Sequence, residues 1–124
     1  MPLLFGNAAV HNLVAARALN RQTAGMDANR IVLEAIALGT CIEAVYNRMK
    51  VTLAPHILYT RHGELYVDAV TVDRDGRSPR EVKLGTFKLS GLTGLTPVDR
   101  RFARDPIFDP GDSRYAGVTL LAIS

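Results

Sequence analysis

At 124 residues, with 48% apolar and 22% charged side chains, the chain has the composition of one ordinary globular domain, not of a disordered, fibrous or disulfide-stapled protein. The single cysteine, Cys41, excludes an internal disulfide and a cysteine-rich zinc site, and its place in an apolar run reads as a buried, inert thiol. The net charge of +3 suits an anionic partner without requiring one. No run reaches the roughly 20 apolar residues of a membrane span and the start lacks the features of a signal peptide, so a cytoplasmic protein with no membrane partner is expected.

In chain order, residues 7–20 place Val10, Leu13, Val14 and Arg17 at helical spacing, which predicts a first helix with a narrow apolar stripe. A second helix follows, capped by Asp27, with Ala28, Ile31, Val32, Ala35 and Ile36 on one face and Gly39 as its left-handed stop. From Cys41 the period changes from 3.6 to 2. "CIEAVY" reads as a strand, "NRMK" as a turn, and "VTLAPHILY" as a strand with Val51, Leu53, Ile57 and Tyr59 on one face. Pro55 cannot donate to a ladder, so it marks an edge or a bulge. "RHG" turns the chain into "ELYVDAVTVD", and "RDGRSPRE" is a polar loop. In "VKLGTFKLSGL" the pair Val82 and Leu84 is out of phase with Phe87 and Leu89, which predicts a bulge at Gly85. The remaining stretch is rich in Pro, Asp and Arg and ends in "GVTLLAI", a candidate closing strand. About five short strands behind two helices predict an α+β fold with a small, strongly bent sheet or barrel.

These residues resemble the WYL domain, a compact Sm-like or SH3-like β-barrel usually found behind a helix-turn-helix in bacterial transcriptional regulators. The likeness runs from Ile31 to about Leu92, half of the chain: the helix "IVLEAI", the strand "CIEAVY", the "PHIL" of the next strand, Leu65-Tyr66-Val67 at the Trp-Tyr-Leu signature, and "TFKLSGL" at the last core strand. Three positions depart from the pattern. Leu65 stands where the signature has tryptophan, Lys88 where it has arginine, and Ser90-Gly91 where it has Asp-Arg. A lysine replaces bidentate phosphate recognition only as a point charge. The resemblance implies residues 1–26 as an N-terminal helix and linker, and residues 27–124 as a barrel domain with a leading helix and a C-terminal extension, free-standing without the usual DNA-reading module. It also implies binding of a nucleotide or single-stranded nucleic acid, while the lack of a complete catalytic or cofactor motif in the residues themselves predicts no enzymatic activity and no cofactor.

The expected ligand-binding residues are Tyr66, Lys88, Arg80, Lys83, His56 and Arg61. Tyr66 alternates with Leu65 and Val67, so it faces outward beside Asp68, either as a stacking platform for a base or as a cross-strand packing residue. Lys88 points away from the core between Phe87 and Leu89. Arg61 and His62 in one loop, and Arg74, Arg77, Arg80 and Lys83 in the next, frame an anion site if both loops open at one end; otherwise they are solvated charge. His56 has three readings: a backbone hydrogen bond, a phosphate contact, or a pair with Asp68. Asp68 with His56 is the only dyad that suggests catalysis, and no nucleophile elbow, phosphate loop or metal-ligand spacing accompanies it. The expected partners are therefore a nucleotide or single strand and a transcriptional or defence protein. The competing reading is a homo-oligomeric scaffold with no ligand.

Overall fold

A computed structural model describes residues 24–124; the expected first helix over 7–20 lies outside them. Helix α1, Ala24–Leu38, precedes strands β1 (Thr40–Tyr46), β2 (Met49–Arg61), β3 (Glu64–Arg74), β4 (Leu84–Lys88), β5 (Thr93–Arg101) and β6 (Thr119–Ala122), with short 3₁₀ turns at Leu89–Gly91 and Ser113–Tyr115. Asp27 lies inside α1, not at its cap. Gly39 ends the helix at φ +69°, the left-handed stop that its position implied.

The expected α+β barrel of about five strands behind two helices is not what forms. The described residues make a mainly antiparallel β domain: a six-stranded open sheet, β4-β3-β2-β1-β5 with β6 added to β2, and one helix. β4 pairs with β3 and β5 with β1, and no pairing joins the outer edges of β4 and β5 among the described residues. β2 is the reason for the sixth strand. At 13 residues it outruns the seven of β1, so β1 covers Met49 to Leu53 and β6 takes Ile57 to Tyr59 on the same side.

Two-residue turns join β1 to β2 and β2 to β3, and a third closes the single Arg74–Arg77 bridge beyond β3. Asn47-Arg48, His62-Gly63 and Asp75-Gly76 all have positive φ at both positions, the geometry whose twist matches that of the flanking strands. β5 escapes the sequence pattern because it carries Pro97 and the charges Asp99, Arg100 and Arg101. These are edge-strand residues, and β5 is an edge.

Pro55 does mark a bulge, but in the central strand and not at an edge. Pro55 pairs with Ala69 and Ile57 with Asp68, which leaves His56 as the extra residue; its carbonyl accepts the Ile123 amide instead, at 2.8 Å. The extra residue switches the direction of every side chain after it. Val51, Leu53 and then Leu58 pack under α1 with Val32, Ala35, Ile36, Ile42, Val67, Ala69 and Phe87. Ile57 and Tyr59, expected beside Val51 and Leu53, pack on the opposite face with Phe108 and Tyr115. Cys41, Ala54 and Val70 share that opposite face with Phe102. The sheet thus has two cores, one under α1 and one under the segment 102–118.

The bulge expected at Gly85 does not occur. The β3–β4 register runs unbroken from Tyr66↔Lys88 to Val70↔Leu84, and Val82 lies outside the strand, exposed. Gly85 serves packing, because a Cβ there would sit 3.1 Å from the Phe87 ring.

Two outcomes test this account. Phe108→Ala removes the centre of the second core and is expected to cost about 3–5 kcal/mol in denaturant unfolding. Arg48→Gly relieves a non-glycine residue at φ +65° and is expected to add roughly 0.5–1 kcal/mol. A neutral result for Phe108 would mean that the segment 102–118 does not cover the sheet.

Candidate functional site

On the face away from α1, the paired strands set out a grid. One row is Arg61 opposite Glu64; the next is Tyr59 opposite Tyr66, with Lys88 opposite Tyr66 on its other side; the third brings Ile57, Asp68 and Thr86 together. Tyr66 and Lys88 are therefore direct cross-strand neighbours. Tyr66 is half-buried and its ring stacks on Tyr59, with centroids 6.1 Å apart and planes at 27°. Lys88 is exposed and its Nζ lies 2.9 Å from Glu64 Oε1; that hydrogen-bonded carboxylate raises the lysine pKa.

Asp68 is the most constrained polar group of the face, fully buried at 0% exposure. Its carboxylate accepts hydrogen bonds from the Tyr59 hydroxyl at 2.7 Å and the Tyr115 hydroxyl at 2.5 Å. Arg114, whose side chain is half exposed, places Nη1 3.8 Å from the second oxygen. Both phenols are held neutral by burial and then by their bonds to the carboxylate: Tyr59 is pushed up to about 12, and Tyr115 is raised as well. Two donors and a nearby guanidinium meet the requirement that a buried charge be hydrogen-bonded and paired. The 3₁₀ turn that delivers Tyr115 is capped by the Asp112 side chain, which accepts the Arg114 amide at 2.9 Å.

His56 is 1% exposed and both of its ring nitrogens are used. Nδ1 donates to the Ala54 carbonyl at 2.8 Å, and Nε2 accepts the Asp105 amide at 3.0 Å. Burial lowers its pKa. The ring packs between Phe102 and Phe108. Of its three readings the backbone hydrogen bond is the one realised, and His56 does not line a ligand surface. Cys41 is buried as expected, and burial pushes its thiol pKa up.

The six expected residues therefore do not form one site. Tyr66, Lys88 and Arg61 share one end of the β2–β3–β4 face. Lys83 lines a separate hollow of about 390 Å³ with Leu84, Asp109, Asp112, Arg114 and Tyr115. Arg80 lies past the other end of β3, in a hollow of about 550 Å³ with Arg74 and Arg77. The loops carrying Arg61 and Arg80 flank opposite ends of β3, so the single ring of loop charges does not assemble. Sequence reasoning missed Tyr115 and Arg114. Their only signal was an aromatic next to a cation in a stretch otherwise made of turn residues.

Among the described residues, no helix is long and apolar enough to cross a membrane. In comparisons with known proteins no family model matches the chain, and no curated protein and no solved structure matches it.

Tyr115→Phe leaves one oxygen of Asp68 short of its donor and is expected to cost about 1–3 kcal/mol, with Tyr59→Phe similar. The pH dependence has a defined sign on the acid side. The folded pKa of His56 lies below the unfolded value of about 6.5, so the unfolded chain binds the extra proton first and stability falls as pH drops below that value. His56→Gln is expected to flatten this limb in denaturant titrations between pH 7.5 and 5. The alkaline limb has the opposite sense: the raised phenol of Tyr59 loses its contribution as pH climbs from about 10 towards 12.

Proposed function

We propose that the protein is a non-enzymatic binding domain whose ligand is a nucleotide or a single strand of nucleic acid, received at Tyr66, Lys88 and Arg61. The observation that carries this reading is the register pair Tyr66↔Lys88, with Tyr59 stacked behind the tyrosine. A ring braced on one side and flanked by a cation suits base stacking combined with a phosphate contact. Arg61 stands on the strand that carries Tyr59, and Arg114 reaches the same face through Asp68. Glu64 holds Lys88 in the absence of ligand, so an incoming phosphate competes with one exposed carboxylate, a weak partner in water.

A binding role is preferred to catalysis because the one suggestive dyad is divided between other partners. Asp68 is engaged by two tyrosines and His56 by backbone groups. The WYL resemblance supports placing the binding in transcriptional regulation. The scaffold reading draws on the apolar stripe of Val10, Leu13, Val14 and Leu19, which lies outside the described residues, and on outer edges of β4 and β5 that are unpaired among the described residues. Pro97 and the charged residues of β5 are devices that discourage edge-to-edge association, so that reading ranks second.

Titration of labelled oligothymidylate by fluorescence anisotropy at two salt concentrations tests the proposal. Log affinity is expected to fall with log salt at about −0.7 per phosphate neutralised. Tyr66→Ala is expected to weaken binding by about 1–3 kcal/mol while Tyr66→Phe retains it. Absence of binding to both nucleotides and strands, or a Tyr66→Ala protein that binds as well as the parent, would sink the assignment.

A further inference from the structure

Arginine recurs at every third position of "RDGRSPR", as Arg74, Arg77 and Arg80. The turn at Asp75-Gly76 bonds Arg74 and Arg77 to one another through both backbone pairs, at 2.7 and 3.0 Å. Residues paired in this way across a hairpin project to the same side, so two like charges stand directly opposite, an arrangement that destabilises a hairpin. Arg80 joins them in lining the hollow of about 550 Å³, whose other walls are Met49, Asp75, Ser78 and Pro79.

Of the neighbouring acids only Asp75 lines the hollow, where its one negative charge leaves an excess of two positive charges. Asp75 Oδ1 accepts the Lys50 amide at 3.1 Å, and Asp73 holds Arg100 at 2.8 Å and the Ser78 hydroxyl at 3.4 Å. Glu81 follows Arg80 in sequence but is not part of the lining. Among the described residues, none of the three guanidiniums has an ion-pair partner. The turn itself is tied down, since the Asp75 amide donates to the Lys50 carbonyl at 2.8 Å. Three guanidiniums and the one Asp75 carboxylate are thus held around one open hollow by a backbone that does not let Arg74 and Arg77 separate.

We infer that this hollow is a phosphate site, and that it makes the ligand a strand of nucleic acid, not a mononucleotide. The site stands on its own residues; only the choice of nucleic acid over another phosphate ester rests on the Tyr66 reading. Tyr66 and Arg74 are eight residues apart on β3, about 25 Å at the rise of an extended strand. One nucleotide cannot reach both. A single strand of roughly four or more nucleotides, the lower end of the known site sizes for such proteins, can. Lys83 and Arg114 line the intermediate hollow on this face, mixed there with Asp109 and Asp112. Val72 is an extra residue in β3, so Arg74, paired with Val51, projects to the α1 side, and a strand bound at both sites passes around the end of the sheet from the Tyr66 face. Guanidinium is the group best suited to phosphate, because its fork donates two hydrogen bonds to two oxygens.

The experiment compares oligothymidylates of 3 and 12 nucleotides on the full chain, on Arg77→Ala/Arg80→Ala and on Tyr66→Ala. The arginine pair is exposed, so its loss leaves the fold intact, and relief of the opposed charges keeps the melting temperature equal or higher. The double variant is expected to bind the 3-mer as the parent does. It loses about tenfold or more on the 12-mer, and its salt slope becomes shallower by about 1.4, or 0.7 for each contact removed. A double variant that keeps the parent's 12-mer affinity and slope overturns the inference and leaves the Tyr66 reading standing. If instead Tyr66→Ala binds the 12-mer normally and the double variant does not, the arginine site is supported and the Tyr66 reading falls. Inorganic pyrophosphate that binds the hollow without displacing the 12-mer would overturn the assignment to nucleic acid.

Discussion

The extra residue that His56 inserts into β2 decides which way every side chain beyond it points. Before the bulge, the odd-numbered residues Val51 and Leu53 pack under the helix; after it, Leu58 takes that direction, and Ile57 and Tyr59 face the other side. Without the bulge, Tyr59 would lie under α1 and Asp68 would have no phenol from β2. The bulge is stabilised from three directions at once. Pro55 has no amide to give up, the His56 carbonyl takes the Ile123 amide, and the imidazole bridges the Ala54 carbonyl to the Asp105 amide. The same ring that fills the irregularity in the strand also holds the start of the segment covering it.

That segment turns a solvent face into a second core. A small sheet packed on a single helix buries one side only, and the other side must be polar or covered. Here it is covered by 102–118, whose anchors are Phe102, Phe108 and Tyr115. The price of the arrangement is a carboxylate under the cover. Asp68 is tolerated because Tyr59, from within the sheet, and Tyr115, from the segment, each supply a hydroxyl. A buried charge satisfied half by the sheet and half by its lid ties the two together more specifically than apolar contact alone, since misplacing the lid strands the charge. The Tyr66–Lys88 face and the stability of the cover thus share Tyr59, which braces Tyr66 on one side and holds Asp68 on the other.

Much of the sheet was legible in the sequence because its devices are local. The stripe from Ala28 to Ile36, the glycine stop at Gly39 and the turns at His62-Gly63 and Asp75-Gly76 depend on neighbours a few residues away. The unreadable parts are those where two distant segments decide the outcome. "VTLAPHILY" is apolar at nearly every position, so its pattern fits either face after a bulge, and Pro55 announces the irregularity without saying which residue is extra. Tyr66 and Asp68 alternate correctly with Leu65 and Val67, but alternation distinguishes the two faces and not whether a face is wet. "DPIFDPGDSRY" has the chemistry of turns, and only Phe108 and Tyr115 hint that it lies on something. β5 was hidden because the residues that protect an exposed edge are those that argue against a strand.

The candidate site was partly legible for the same reason. The adjacency of Tyr66 and Lys88 follows from one hairpin and one ladder, and spacing along the chain is enough to set it. The expected gathering of all six residues required knowing that the loops after β2 and β3 open at opposite ends of a strand 11 residues long. That separation changes the meaning of the basic residues. A ring of charges around one mouth would suit a compact anion, whereas here Arg61, Lys88 and Lys83 lie on the side of Tyr66 and Arg74 projects to the side of α1 at the far end of β3. The carboxylates are distributed as unevenly as the cations: Asp68, Asp73 and Asp112 are tied to tyrosines, to Arg100 or to the Arg114 amide, whereas only Asp75 lies among Arg74, Arg77 and Arg80, which leaves that end of the chain locally positive.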